Sequence, residues 1–139
     1  MSMGLVPYIM LDGNAREALQ FYEKVLGAKV VFQQTFGEGP EDIVSSLPEN
    51  ARERLAHSVL IIGTSELYLA DCEPGQRIQS GNKVNICLTA SNAEESKQMY
   101  EALREGGSED FPLQPTYFSP AYGMVTDKFG VTFQIFTKR

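Results

Sequence analysis

The sequence predicts an α+β protein of two βαβββ modules, each a curved mixed β-sheet with one helix on its outer face and a concave cup on the other. The first observation behind this is a repeat. Asn14-Ala15-Arg16-Glu17-Ala18-Leu19-Gln20-Phe21-Tyr22-Glu23 returns 78 residues later as Asn92-Ala93-Glu94-Glu95-Ser96-Lys97-Gln98-Met99-Tyr100-Glu101, with six of ten positions identical. The second is that each copy follows one β-like run and precedes three more. The chain is read as a single domain, 1–139, with module one at 1–73, module two at 83–139 and a linker at 74–82 rich in Gly, Pro and polar residues.

In order, Leu5 to Leu11 is an apolar first strand. The helix over 14–26 starts at an N-cap candidate, Asn14, with Glu17 three residues on, the spacing of a capping box worth about 1 kcal/mol. Ala15, Ala18, Tyr22 and Val25 share one helical face, and Gly27 is a C-terminal stop. Ala28 to Phe36 is β-branched and aromatic, and Gly37-Glu38-Gly39-Pro40-Glu41-Asp42 breaks it. Pro48 to Leu55 reads as a short helical turn, followed by strands His57 to Ile62 and Glu66 to Ala70 around Gly63-Thr64. Module two repeats the plan. It has a strand Val84 to Thr89, a helix over 92–105 capped by Asn92 with Glu95, and a stop at Gly106. Ala93, Ser96, Tyr100 and Leu103 form its apolar face. Strands near Phe111 to Gln114, Tyr122 to Thr126 and Val131 to Thr137 follow, the last two joined by a turn at 127–130.

Alternation sorts these strands between faces. Asn85, Cys87 and Thr89 should face the cup, as should Thr132, Gln134 and Phe136, with Val131, Phe133 and Ile135 toward the helix. The 78-residue offset equates Pro7 with Asn85 and so places Pro7, Ile9 and Leu11 on the cup side.

Composition bounds the function. At 139 residues, 42% hydrophobic and 22% charged, the chain can bury a sizeable core. A net charge of −6 argues against nucleic acid as a partner. The first eleven residues lack a basic n-region and no apolar run reaches membrane-spanning length, so neither a signal peptide nor a membrane partner is expected. Cys72 and Cys87 do not make a disulfide framework, which suits a cytoplasmic protein with reduced thiols.

Several segments resemble the vicinal oxygen chelate superfamily, which includes glyoxalase I, extradiol dioxygenases, fosfomycin-resistance enzymes and bleomycin-resistance proteins. They are Pro7-Tyr8, Gly13-Asn14-Ala15, Glu17 to Tyr22, His57 opening a strand that ends at Gly63, and Tyr122 to Val131. The match covers nearly the whole chain and looks closer to the PhnB-like branch. It implies paired βαβββ modules of the glyoxalase/bleomycin resistance-like fold, a cup-shaped site and a homodimer. Metal-dependent relatives carry His or Glu at four cup positions. Carried over, these fall on Pro7, on or beside Leu67 (with Tyr68 the nearest polar group), on Asn85 and on Gln134. None can supply an anionic donor or an imidazole, so no cofactor is expected and a divalent metal is disfavoured.

His57 is the single histidine. If its side chain points into the cup it is the candidate for proton transfer; otherwise it is held by a structural hydrogen bond. Pro7, Tyr8, Tyr68, Asn85, Tyr122 and Gln134 are the candidate ligand-binding residues, and Tyr117 could add a hydroxyl. Asp71 and Cys72 suit a turn, and Phe118 and Phe133 suit the core. Some members of the resembled branch are labelled 3-demethylubiquinone methyltransferases. Here the lone Gly37-Glu38-Gly39 does not open a long helix, as a dinucleotide-type site would require. The expected function is metal-independent binding of a small organic molecule. An isomerase- or lyase-type enzyme using His57 or an atypical metal site is the alternative, and a bleomycin-type drug-binding resistance protein is a second one.

Overall fold

In the computed structural model, which describes residues 2–139, each half of the chain builds its own four-stranded mixed sheet. The division into two units, Met1–Gln79 and Ser80–Arg139, falls inside the 74–82 segment. The first unit runs β1 (Tyr8–Leu11), α1 (Ala15–Leu26), β2 (Lys29–Thr35), α2 (Glu41–Val44), β3 (Leu55–Ile62) and β4 (Ser65–Asp71). Its strand order is β1-β4-β3-β2, with β1 and β4 parallel. The second runs β5 (Ile86–Ala90), α3 (Ala93–Arg104), β6 (Ser108–Thr116), β7 (Ser119–Thr126) and β8 (Thr132–Thr137), in the order β5-β8-β7-β6 with β5 and β8 parallel. Both units are therefore βαβββ.

Strand limits follow the ladders. β1 begins at Tyr8 and not at Leu5, and β5 at Ile86 and not at Val84, because pairing with β4 and β8 starts there. Leu5 and Val84, beyond the ladder, are 98% and 87% exposed. The break after β2 holds more structure than its Gly and Pro content predicts. Phe36–Glu38 is a 3-10 turn in which Glu38 accepts the Thr35 N–H, and Pro40 opens the four-residue α2. A second 3-10 turn spans Glu49–Ala51.

In unit one, Ala15, Ala18, Leu19 and Tyr22 of α1 are buried, as are Ile9, Leu11, Leu60, Leu67 and Leu69 of the sheet. Each such leucine stabilises the fold by about 1.5–3 kcal/mol. Val25, in the last turn of α1, is only half-buried. In unit two, Ser96, Tyr100 and Leu103 are buried against Val125, Phe133 and Ile135, while Ala93, in the first turn of α3, is exposed. Phe133 is core, as expected, but Phe118 is 40% exposed near the β6–β7 turn.

The parity of β1 differs from that predicted by the repeat. Leu11 pairs with Asp71, and Ala90 with Thr137, so these pairs are the equivalent strand ends. Between strand and helix lie Asp12, Gly13 and Asn14 in unit one, but only Ser91 and Asn92 in unit two. This extra residue makes the strand offset 79 where the helix offset is 78, and one residue of slip exchanges the faces. Ile9 and Leu11 accordingly share the helix face with Leu69 and Asp71, and Pro7 has their parity. Tyr8 and Met10 take the open face instead.

The caps differ for the same reason. Asn92 Oδ1 accepts the Glu95 N–H at 2.8 Å, as the spacing predicts. Asn14 makes no side-chain cap. Asp71 replaces it: Oδ1 accepts from Gly13 N at 2.7 Å and Ala15 N at 3.0 Å, and Oδ2 from Leu55 N at 3.0 Å. Asp71 is thus a buried tie between strand and helix and not a turn residue. Gly27, at φ 63°, closes α1 as the sequence predicts.

Candidate functional site

Each sheet covers one face with its helix and turns the other outward. In unit two, the β7–β8 register pairs Met124 with Gln134 and Tyr122 with Phe136 on the open face. Parallel pairing of β5 with β8 adds Cys87 beside Gln134, so Asn85, Cys87 and Thr89 lie on that face as expected. Phe111 of β6 pairs with Met124 across a bulge. A pocket of about 560 Å³ opens here, with Phe111, Gln114, Thr116, Phe118, Tyr122 and Met124 in its wall. The rings interlock. Tyr122 meets Phe118 edge-on at 5.0 Å between centroids and Phe111 at 5.7 Å, and Phe118 stacks on Phe136 at 6.0 Å. No charged side chain lines the pocket.

Beside the rings, on the same face, runs a polar relay. Tyr122 Oη donates to Gln134 Oε1 at 2.9 Å, Gln134 Nε2 to Asn85 Oδ1 at 2.9 Å, and Asn85 Nδ2 to the Asn82 carbonyl at 3.3 Å. The structure thus joins three of the sequence-predicted residues, Asn85, Tyr122 and Gln134, into one chain.

In unit one, the open face gathers three others. Tyr8 is paired with Tyr68, which is paired with Val59, two residues from His57. The Tyr8 hydroxyl lies 2.9 Å from His57 Nδ1, and Tyr68 meets the imidazole edge-on at 4.9 Å. Phe32 of β2 completes the cluster, 6.0 Å from His57. Burial and the neighbouring Tyr68 push the Tyr8 hydroxyl above its ordinary pKa. Pro7 is not in this cluster; its carbonyl accepts the Tyr68 N–H at 3.0 Å. Leu67 is buried on the helix face, so the open-face position of β4 belongs to Tyr68.

Neither face suits the divalent metal that the fold's metal-using members imply. Unit one presents one imidazole and two phenols, of which Tyr8 resists ionisation. Unit two presents two amides and Cys87, whose thiol burial pushes up, away from thiolate. A Zn²⁺- or Ni²⁺-type site needs deprotonated or imidazole donors in number. Among the described residues no three His, Cys, Asp or Glu side chains converge.

A second cavity of about 400 Å³ lies at the start of α1, where Arg54 and Asp71 meet. Arg54 and Asp71 are engaged internally, although the buried Arg54 Nε has no partner among the described residues. Arg54 Nη2 donates to Asp12 at 2.9 Å and to the Cys72 carbonyl at 2.8 Å, and Asp71 holds three backbone N–H groups. The Gly37-Glu38-Gly39 segment leads only to the four-residue α2. No helix among the described residues is long and apolar enough to cross a membrane.

Sequence reasoning missed Phe111, Phe118, Gln114 and Met124. Alternation from Tyr122 would have found Met124. Phe111 was hidden by the register shifts of β6, whose Pro112 and Pro115 lack the N–H of a regular ladder.

Paired βαβββ units with open aromatic faces define a class, and comparison with known families agrees. The chain belongs to the family described as the Glyoxalase/Bleomycin resistance protein/Dioxygenase superfamily, which matches residues 4–135. Among individual relatives, it is 31% identical over 140 residues to Protein YjdN of Escherichia coli (strain K12), covering 96% of this chain and 94% of that one. The crystal structure of protein PA1353 from Pseudomonas aeruginosa is similar, with a TM-score of 0.87 at 31% identity, over 99% of this chain and 98% of the other. The PhnB protein from Bacillus cereus shares the fold, with a TM-score of 0.79 at 20% identity, over 97% of this chain and 99% of that one.

Proposed function

We propose that this protein binds a small organic molecule without a metal, in the aromatic pocket of unit two. The observation that carries the reading is that pocket: about 560 Å³, walled by interlocked aromatic rings and uncharged polar groups, with no anionic donor. Its size is that of an ordinary small-molecule site. Purified protein should contain no stoichiometric divalent metal by elemental analysis. One Zn²⁺, Ni²⁺ or Fe²⁺ per subunit, lost in His57→Ala, would overturn the reading.

An isomerase- or lyase-type activity is the second reading, favoured by the 2.9 Å contact of Tyr8 with His57. If the phenol donates to Nδ1, the proton of neutral His57 sits on Nε2, which leaves an oriented donor. Metal-free turnover of a small oxygenated carbonyl substrate, abolished in His57→Gln and altered in pH profile by Tyr8→Phe, would promote this reading. Association as a homodimer is part of the proposal. It is supported by the exposed Val31 and Phe32 on edge strand β2. A monomeric mass by light scattering at micromolar concentration would refute it.

A further inference from the structure

The relay beside the pocket has a direction, and one backbone atom sets it. The Asn82 carbonyl can only accept, so the Asn85 group facing it is the amide nitrogen, Nδ2. Asn85 Oδ1 must then face Gln134, which answers with its own nitrogen, Nε2. That turns Gln134 Oε1 toward Tyr122, and an amide oxygen accepts only. Tyr122 therefore spends its one hydrogen on Gln134. What remains on its oxygen is lone-pair density. A tyrosine that could ordinarily serve as donor or acceptor is committed to accepting.

The other features of the pocket select in the same direction. Its wall has four aromatic side chains, Phe111, Tyr117, Phe118 and Tyr122, whose π faces are negative, and no Lys, Arg or His. The whole chain carries −6, which repels anions at long range. Resting on the reading that this pocket binds a small molecule, we propose that it selects planar ligands that donate a hydrogen bond to the Tyr122 oxygen, neutral or cationic, and rejects planar anions.

Calorimetric or ligand-observed NMR titration with matched probes tests this: indole against 1-methylindole, and benzamidine against benzoate. The wild-type protein should bind indole about tenfold more tightly than 1-methylindole, the worth of one hydrogen bond. Benzamidine should bind and benzoate should not. Tyr122→Phe should bring the two indoles to equal affinity while still binding both; a discrimination that survived in this variant would be steric and would overturn the proposal. Equal binding of both indoles to the wild type would overturn the directional relay and leave the pocket standing. Binding of none of the four probes would overturn both.

Discussion

His57 in β3 and Tyr122 in β7 occupy the same place in their sheets, each two residues before the partner of Tyr68 or Gln134. Phe32 and Phe111 also correspond, each paired with the equivalent residue of the next strand, Val59 or Met124, just after a bulge. On this shared frame, unit one makes a ring cluster closed by one phenol–imidazole contact. Unit two makes a pocket flanked by an amide relay. Open-face chemistry differs while the first bulge is shared; β6 then shifts register again between Phe111 and Gln114, where β2 stays regular from Phe32 to Gln34. The helix-facing sides also diverged in places. Where they did, at Asp71 against Thr137, a one-residue difference in the strand–helix link explains it. The longer link of unit one leaves Asn14 unable to cap, and a carboxylate from β4 reaches across to α1. In unit two Asn92 caps locally, and Thr137 hydrogen-bonds Ser96 of α3 and the Ala121 carbonyl.

The largest expected effect tests that asymmetry. Asp71→Ala strands three backbone N–H groups and should cost about 3–5 kcal/mol in urea unfolding. Its counterpart, Thr137→Val, should cost about 1–2 kcal/mol. Equal costs would break the comparison.

Next comes Tyr100, buried in α3, whose hydroxyl donates to Glu109 at 2.7 Å. It passes over Gly123, where an added Cβ would meet its ring at 3.0 Å. Burial first, and then the bond to Glu109, raise its pKa well above the usual phenol value. Both states are protonated below about pH 10, and above it the unfolded chain ionises first. Stability should therefore hold below pH 10 and fall as pH rises beyond it. Tyr100→Phe should cost about 1–2 kcal/mol at neutral pH and flatten the alkaline limb, which chemical denaturation across pH 8 to pH 11 can read. A residual slope is expected from Tyr8, whose pKa is also raised.

The smallest effect separates the two repeat copies. Asn92→Ala should cost about 1 kcal/mol and Asn14→Ala less than about 0.5 kcal/mol, measured by the same unfolding assay. A full capping loss at Asn14 would mean that Asp71 does not substitute for it.

Much of the architecture was legible because it rests on local signals. Repeated helix motifs, Gly27 and Gly106 at the helix ends, and alternation in β8 each depend only on near neighbours in the chain. The 3-10 turns and α2 were less legible, since the Gly- and Pro-rich stretch from Gly37 onward reads as a plain break. Of the candidate site, the polar members Asn85, Tyr122 and Gln134 could be read from side-chain parity. Phe111 could not, because a bulge shifts parity without leaving a mark in composition.

By itself the sequence determined that this chain makes two βαβββ units. Periodicity, caps and residue chemistry are written into single stretches of chain. Tertiary structure alone decided which face of β1 looks outward, since one residue in the Asp12–Asn14 link exchanges the faces. It also decided that Phe118 lines a pocket and is not core, and that Asn85, Gln134 and Tyr122 form a relay across the open face. These depend on strand register and on a backbone carbonyl three residues from Asn85, which no side-chain pattern encodes.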